Sequence, residues 1–168
     1  MDLFLNILIG FWPFWVGLAM VIAVFVLLKM YAPGGNKMPY YTRDRLVTKA
    51  ELRFYKTLVK SVQDDFEIFV MVRIADILRV DPNVKNKRSW INKILAKHCD
   101  FVLCDPGDLR PVLGIELDDS SHQRADRIER DRFVDDAFES AKLPLLRIPV
   151  RSKYQSREIR ELIDEKLT

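Results

Sequence analysis

The chain follows two different rules of polarity. From Leu3 to Leu28 the run LFLNILIGFWPFWVGLAMVIAVFVLL holds one strongly polar side chain, Asn6, and no charge. As a helix it reaches about 39 Å at 1.5 Å per residue, more than the roughly 30 Å hydrocarbon thickness of a bilayer. The excess predicts tilt or a bend, and Pro13 marks where a bend would fall. A cleaved signal peptide and a buried core helix are the competing readings. A signal peptide wants a basic start, an apolar core of about 7–15 residues and a small-residue cleavage site. This chain starts Met1-Asp2, its apolar run is longer, and no A-x-A-like site follows. The pattern predicts a transmembrane anchor within residues 1–30.

Residues 31–47 carry Pro-Gly-Gly, a second Pro and no clean period, and read as a linker. The periodicity then predicts a folded domain over 48–168. Thr48 is placed as an N-cap with Glu51 three residues on, the spacing of a capping box. The helix it opens runs to about Val62, with Leu52, Tyr55, Leu58, Val59 and Val62 on one face. Phe66 to Leu78 is rich in β-branched and aromatic residues and predicts a strand, bent or ending near Ala75-Asp76. A polar excursion over Asp81 to Arg88 and an apolar patch over Trp90 to Leu95 follow. His98–Asp105 and Arg110–Asp119 read as two strands joined by Pro106-Gly107-Asp108, with hairpin spacing. A charged helix over Arg124–Lys142, a strand over Leu143–Val150 and an amphipathic helix over Ser156–Leu167 complete the order. Helix, three strands, helix, strand, helix describes a small mixed α/β sandwich.

Charge gives the anchor a direction. The first 28 residues contain one charge, Asp2, so the rest holds all 27 Lys and Arg and all but one of the 24 Asp and Glu. Lys29, Lys37, Arg43, Arg45 and Lys49 follow the apolar run and nothing basic precedes it, which places the C-terminal domain in the cytoplasm of a single-pass inner-membrane protein. Cys99 and Cys104 are an odd number of residues apart in a predicted strand, so their side chains are expected on opposite faces with no disulfide. Lys85, Lys87, Arg88, Lys93 and Lys97 cluster around Trp90, a composition that grips phosphates and stacks on bases, or equally makes a solvated loop. Arg124, Arg127, Arg130 and Arg132 alternate with Asp126, Glu129 and Asp131 and read as a salt-bridged helix surface. Arg147 stands alone in an apolar strand.

The acidic residues carry the chemistry. Glu116 and Asp118 are two apart in a strand and share a face. The hairpin brings Asp100 alongside Glu116. Unpaired carboxylates that close repel and rise in pKa. A hard divalent cation such as Mg²⁺ between them relieves that repulsion, because it takes oxygen ligands. Solvated strand ends are the plainer reading, against which stand the apolar flanks of both acids and the nearby His122.

The ordered set of Glu51, Asp100 followed by Phe-Val-Leu, and Glu116-Leu117-Asp118 resembles the PD-(D/E)XK nuclease superfamily. IELDDSSH, Asp131-Arg132 and LPLLRIPV look closest to the branch near the very-short-patch repair endonucleases. More narrowly, RLVTKAE, KHCDFVLCD, IELDDSSH, RDRFVDDAF and PLLRIPV resemble the domain-of-unknown-function family numbered 2726, over about Leu46 to Ile163. The resemblance implies a restriction-endonuclease-like α-β-β-β-α-β-α core, a mixed sheet flanked by helices, behind one transmembrane helix. It implies that Asp100, Glu116 and the backbone carbonyl of Leu117 hold Mg²⁺, with Mn²⁺ a substitute, and that Glu51 completes or supports the shell. Asp118 stands where that superfamily places a lysine. His122 is the natural replacement as base, since imidazole takes a proton from water near neutral pH. Lys87, Arg88, Lys97, Arg124 and Arg147 are the expected nucleic-acid contacts.

The expectation is a membrane-anchored, Mg²⁺-dependent nuclease cutting DNA, or RNA, at the cytoplasmic face. The alternative keeps the fold without the chemistry, as a module that binds nucleic acid or a protein partner. The expected partners are nucleic acid, the membrane through Leu3–Leu28, and a second copy of the chain or another membrane protein.

Overall fold

The computed structural model describes residues 10–31, 38–118 and 125–168, with side chains described for all of these except 125–130. The chain divides at Thr42 into two compact units. In the first, α1 (Trp12–Tyr31) is an apolar helix of 20 residues, about 30 Å long. It is long and apolar enough to cross a membrane. Leu3 to Ile9 lie outside the described residues. Pro13 falls in the first turn of α1, where a missing N–H breaks no helical bond. The helix runs three residues past Leu28, and Lys29 in its last turn complements the negative end of the helix dipole.

The second unit is a four-stranded sheet, order β1-β2-β3-β4, with helices on both faces. Its elements are α2 (Lys49–Val62), β1 (Glu67–Arg73), α3 (Ile74–Ile77), α4 (Lys87–Leu95), β2 (His98–Cys104), β3 (Pro111–Asp118), α5 (Ala125–Ser140), β4 (Leu145–Pro149) and α6 (Ser156–Leu167). β1, β2 and β3 are antiparallel neighbours, and β4 lies parallel to β3. A parallel pair needs a crossover, and α5 supplies it.

Two expectations change in detail. The strand predicted over 66–78 stops at Arg73, and the single turn α3 replaces its end. Arg73 bonds Asp76 at 2.8 Å, three residues on, and the Ile74 N–H donates to the Lys97 carbonyl at 2.9 Å. The patch around Trp90 is a helix, because Trp90, Ile91, Ile94 and Leu95 fall one turn apart.

The first core cluster fills the face under α2 and α6. Phe54, Leu58 and Val62 of α2 and Ile159 and Ile163 of α6 meet Phe101, Leu103, Leu113, Ile115 and Ile148 of the sheet. Each such side chain contributes roughly 1.5–3 kcal/mol by leaving water. The second cluster lies under α3, α4 and α5, and joins Ile74, Ile94, Val134 and Phe138 to Val102 and Cys104. Cys99 belongs to it too, so the two cysteines share one cluster instead of facing opposite ways. The cause is a switch in the β1–β2 ladder. Val70 and Phe101 are paired and join the first cluster, whereas the next pair, Val72 and Cys99, joins the second. Between them Met71 takes a φ of 52°, a left-handed residue that turns the strand. Both thiols remain free, as expected.

Candidate metal and nucleic-acid site

β2 and β3 are paired from Cys104–Pro111 to Phe101–Ile115, and the ladder stops there. Continuing that register by one residue sets Asp100 opposite Glu116. In place of a backbone partner, the Leu117 N–H donates to the Asp100 carboxylate at 2.9 Å. The strands therefore part where the two acids stand, and the Asp100 side chain bridges the opening. Asp100 and Glu116 are both half-buried.

Cys99 fills the inner end of this fork. Its thiol donates to the Phe101 carbonyl at 3.2 Å and lies 3.6 Å from the Ile115 carbonyl. Burial pushes the thiol up to about 12, and the negative charges of Glu116 and Asp100 push in the same direction. A cation between the carboxylates would act against that push. Because the folded thiol keeps its proton while an unfolded one ionises near 9, the unfolded state binds fewer protons above that pH. Stability is then full below about pH 9 and is expected to fall as pH rises from about 9 to 12. Alkaline thermal melts of Cys99→Ala against the parent chain measure this, and the variant is expected to lose less between those limits. In the folded protein neither thiol is expected to react with a disulfide reagent near neutral pH.

On the other side of Glu116 the partner in register is Arg147 of β4. The Arg147 guanidinium bonds Asp118 at 2.8 Å and Asp135 of α5 at 2.8 Å, and reaches the Asp131 carbonyl at 3.3 Å. Burial works against its charge, but Asp135 and Asp118 more than offset this and hold its pKa above the ordinary value. Arg147 thus faces the acidic site, and Asp118 is engaged as its ion-pair partner.

The Glu51 carboxylate accepts the Thr48 N–H at 2.9 Å while the Thr48 hydroxyl accepts the Glu51 N–H at 3.2 Å, closing the capping box on α2. Thr48→Ala is expected to cost about 1 kcal/mol in unfolding free energy, read as a lower thermal midpoint. Lys87 and Arg88 are exposed in the first turn of α4, and the Lys97 ammonium bonds the Lys93 carbonyl at 2.8 Å. His122, Gln123 and Arg124 lie outside the described residues. Among the described residues no three His, Cys, Asp or Glu side chains converge as a metal cage.

Sequence reasoning missed Asp135 as the second carboxylate on Arg147. The signal was present, since Asp131 and Asp135 stand one helical turn apart on the helix that crosses from β3 to β4.

Residues 43–167 match the family described as protein of unknown function DUF2726. The chain belongs to the DUF2726 family. The match covers the whole sheet and every helix packed on it, so the fork of β2 and β3 and the Arg147 cluster are parts of the DUF2726 domain. The apolar helix α1 precedes the DUF2726 match. No curated protein and no solved structure gives a significant match to the chain.

Proposed function

We propose that this chain is a membrane-anchored, metal-dependent nuclease of the PD-(D/E)XK type, hydrolysing phosphodiester bonds in DNA or RNA at the cytoplasmic face. The observation that supports the reading is the fork, where the β2–β3 ladder ends one residue before Asp100 and Glu116 and the Leu117 N–H donates to the Asp100 carboxylate. The element order supports it: a helix, three strands, a helix, a strand and a helix, with the short α3 and α4 between β1 and β2.

The donor set suits Mg²⁺, with Mn²⁺ a substitute. Mg²⁺ is held by one or two carboxylates and keeps several waters for substrate phosphate to displace, so two carboxylates and the Leu117 carbonyl are enough. When bound, the ion lowers the pKa of a water and stabilises charge on the scissile phosphate. Asp100 and Glu116 hold it, and the Leu117 N–H fixes the Asp100 rotamer. Asp118 is committed to Arg147, so the proton of the attacking water falls to His122. Arg147, in register beside Glu116, keeps the Asp118 and Asp135 charges from adding to the repulsion at the fork. The length and apolarity of α1 support an anchor, and the basic residues after it support a domain on the cytoplasmic side.

The test is a digest with the full chain in detergent micelles, using linear, circular and single-stranded DNA and RNA with Mg²⁺ or EDTA. Cleavage in Mg²⁺ that EDTA abolishes is expected; cleavage that EDTA leaves unchanged overturns the reading. A second reading rests on Asp118, an ion-paired acid where the superfamily has its lysine. In that reading the domain binds nucleic acid or a protein partner without cutting, and the same digest shows binding with no products in either Mg²⁺ or Mn²⁺.

A further inference from the structure

Helix α4 and the residues after it form a surface with its own composition. Lys87, Arg88, Lys93 and Lys97 lie in and just beyond it, and the run from Asn86 to His98 contains no acid. The basic residues are arranged around aromatic rings. The Lys93 ammonium stands 4.3 Å from the centroid of Trp90 and 5.7 Å from that of Phe133 on α5. The Lys97 ammonium stands 4.9 Å from the Phe133 ring. Trp90 is 43% exposed, although a tryptophan that size is mostly buried when it serves a core.

This surface connects to the fork in two ways. Lys97 precedes Asp100 by three residues, about 10 Å along an extended strand. α5 presents Phe133 to the lysines and Asp135 to Arg147, so one helix borders both places. An exposed indole can stack on an unpaired base, and the ammonium groups over the Trp90 and Phe133 rings meet the flanking phosphates. A duplex keeps its bases stacked inside and cannot use the indole face. A membrane surface would engage the lysines but has no use for their spacing from the carboxylates.

Resting on the nuclease reading, we propose that Trp90, Lys93, Lys97 and Phe133 form the subsite that holds an unpaired strand beside the fork, with Trp90 stacking on a base and the two lysines on phosphates. The substrate at that point is single-stranded. The test uses the full chain in neutral detergent with EDTA, and reads binding of fluorescent single-stranded and duplex oligonucleotides by anisotropy. Trp90→Ala is expected to weaken single-strand binding about ten-fold or more, and Trp90→Phe to restore most of it. Duplex binding is expected to change little. Lys93→Gln with Lys97→Gln is expected to lower the slope of log affinity against log salt by about 1.4, two phosphates' worth on a single strand. Trp90 is exposed, so the thermal midpoint stays put and a folding failure cannot imitate the result.

Unchanged single-strand binding in Trp90→Ala overturns the proposal, and so does an equal loss on duplex. Loss of binding to anionic phospholipid vesicles in the lysine variant, with oligonucleotide binding intact, overturns it in favour of a membrane-facing patch. If the parent chain shows Trp90-dependent binding but cuts nothing in Mg²⁺ or Mn²⁺, the hydrolytic reading fails and the strand-holding subsite stands.

Discussion

On the proposed nuclease reading, chains carrying Asp100→Asn or Glu116→Gln are expected to lose metal-dependent cleavage by about a thousand-fold or more while keeping their fold. Metal-ion charge stabilisation is worth several kcal/mol in the transition state, and each 1.36 kcal/mol is a factor of ten. Either amide removes one of the two charged donors at the fork. Asparagine is the informative choice at Asp100, because its side-chain oxygen still accepts the Leu117 N–H that the carboxylate accepts at 2.9 Å. The opening between β2 and β3 is then bridged as before, and the thermal midpoint is expected to stay within a few degrees of the parent. Divalent-ion binding by calorimetry should weaken in both variants. Unchanged cleavage in either variant removes that residue from the site, and lost cleavage accompanied by unfolding would assign it a structural task.

The second large effect falls on Gly114. A Cβ built there lies 2.5 Å from Phe138 Cε1, closer than any allowed contact, and a tight 3.0 Å from Leu145 Cδ1. The Phe138 ring is buried to 1% exposure on α5 within the second core cluster, and it borders, with Leu145, a pocket between α5 and β4, so any shift it makes disturbs packed neighbours on the core side. Gly114 is hydrogen-bonded to the Pro144 carbonyl and paired with Val102, which holds its backbone on both sides. Gly114→Ala is therefore expected to cost about 1–3 kcal/mol by overpacking, and Gly114→Val more. That is a large share of the roughly 5–15 kcal/mol a domain has in hand. Chemical unfolding measures it. Phe138→Leu added to Gly114→Ala is expected to recover part of the loss, because the leucine vacates the space the new methyl needs; the non-additivity of the pair locates the clash.

Much of this architecture was legible beforehand. Thr48 and Glu51 gave the start of α2, and the turn residues Pro106-Gly107-Asp108 between two apolar runs gave the hairpin. The sequence held no sign that the ladder shifts between Leu103 and Cys104 or ends at Phe101 and Ile115. What was hidden was non-local. The left-handed Met71 is invisible to a two-residue period, and it stands between the pairs Val70–Phe101 and Val72–Cys99, which join different clusters. The α4 helix was masked by polar neighbours, since it has only four apolar positions and two of them, Trp90 and Leu95, are exposed. Arg147 was recognised as out of place in its strand, but its partners Asp118 and Asp135 come from two other elements, which strand order brings together only in three dimensions.

Met71 has a further consequence at the outer margin of the sheet. Among the described residues β1 is an edge, with a strand partner on one side only. A long, flat margin of that kind recruits the matching margin of another molecule, and the tendency is worst where molecules are crowded into two dimensions, as anchored ones are. With a left-handed residue in the middle of EIFVMVR, and Glu67 and Arg73 exposed at its ends, β1 presents no unbroken row of donors and acceptors. The same left-handed residue that stands between the two core clusters thus makes β1 a poor template for edge-to-edge pairing with another chain.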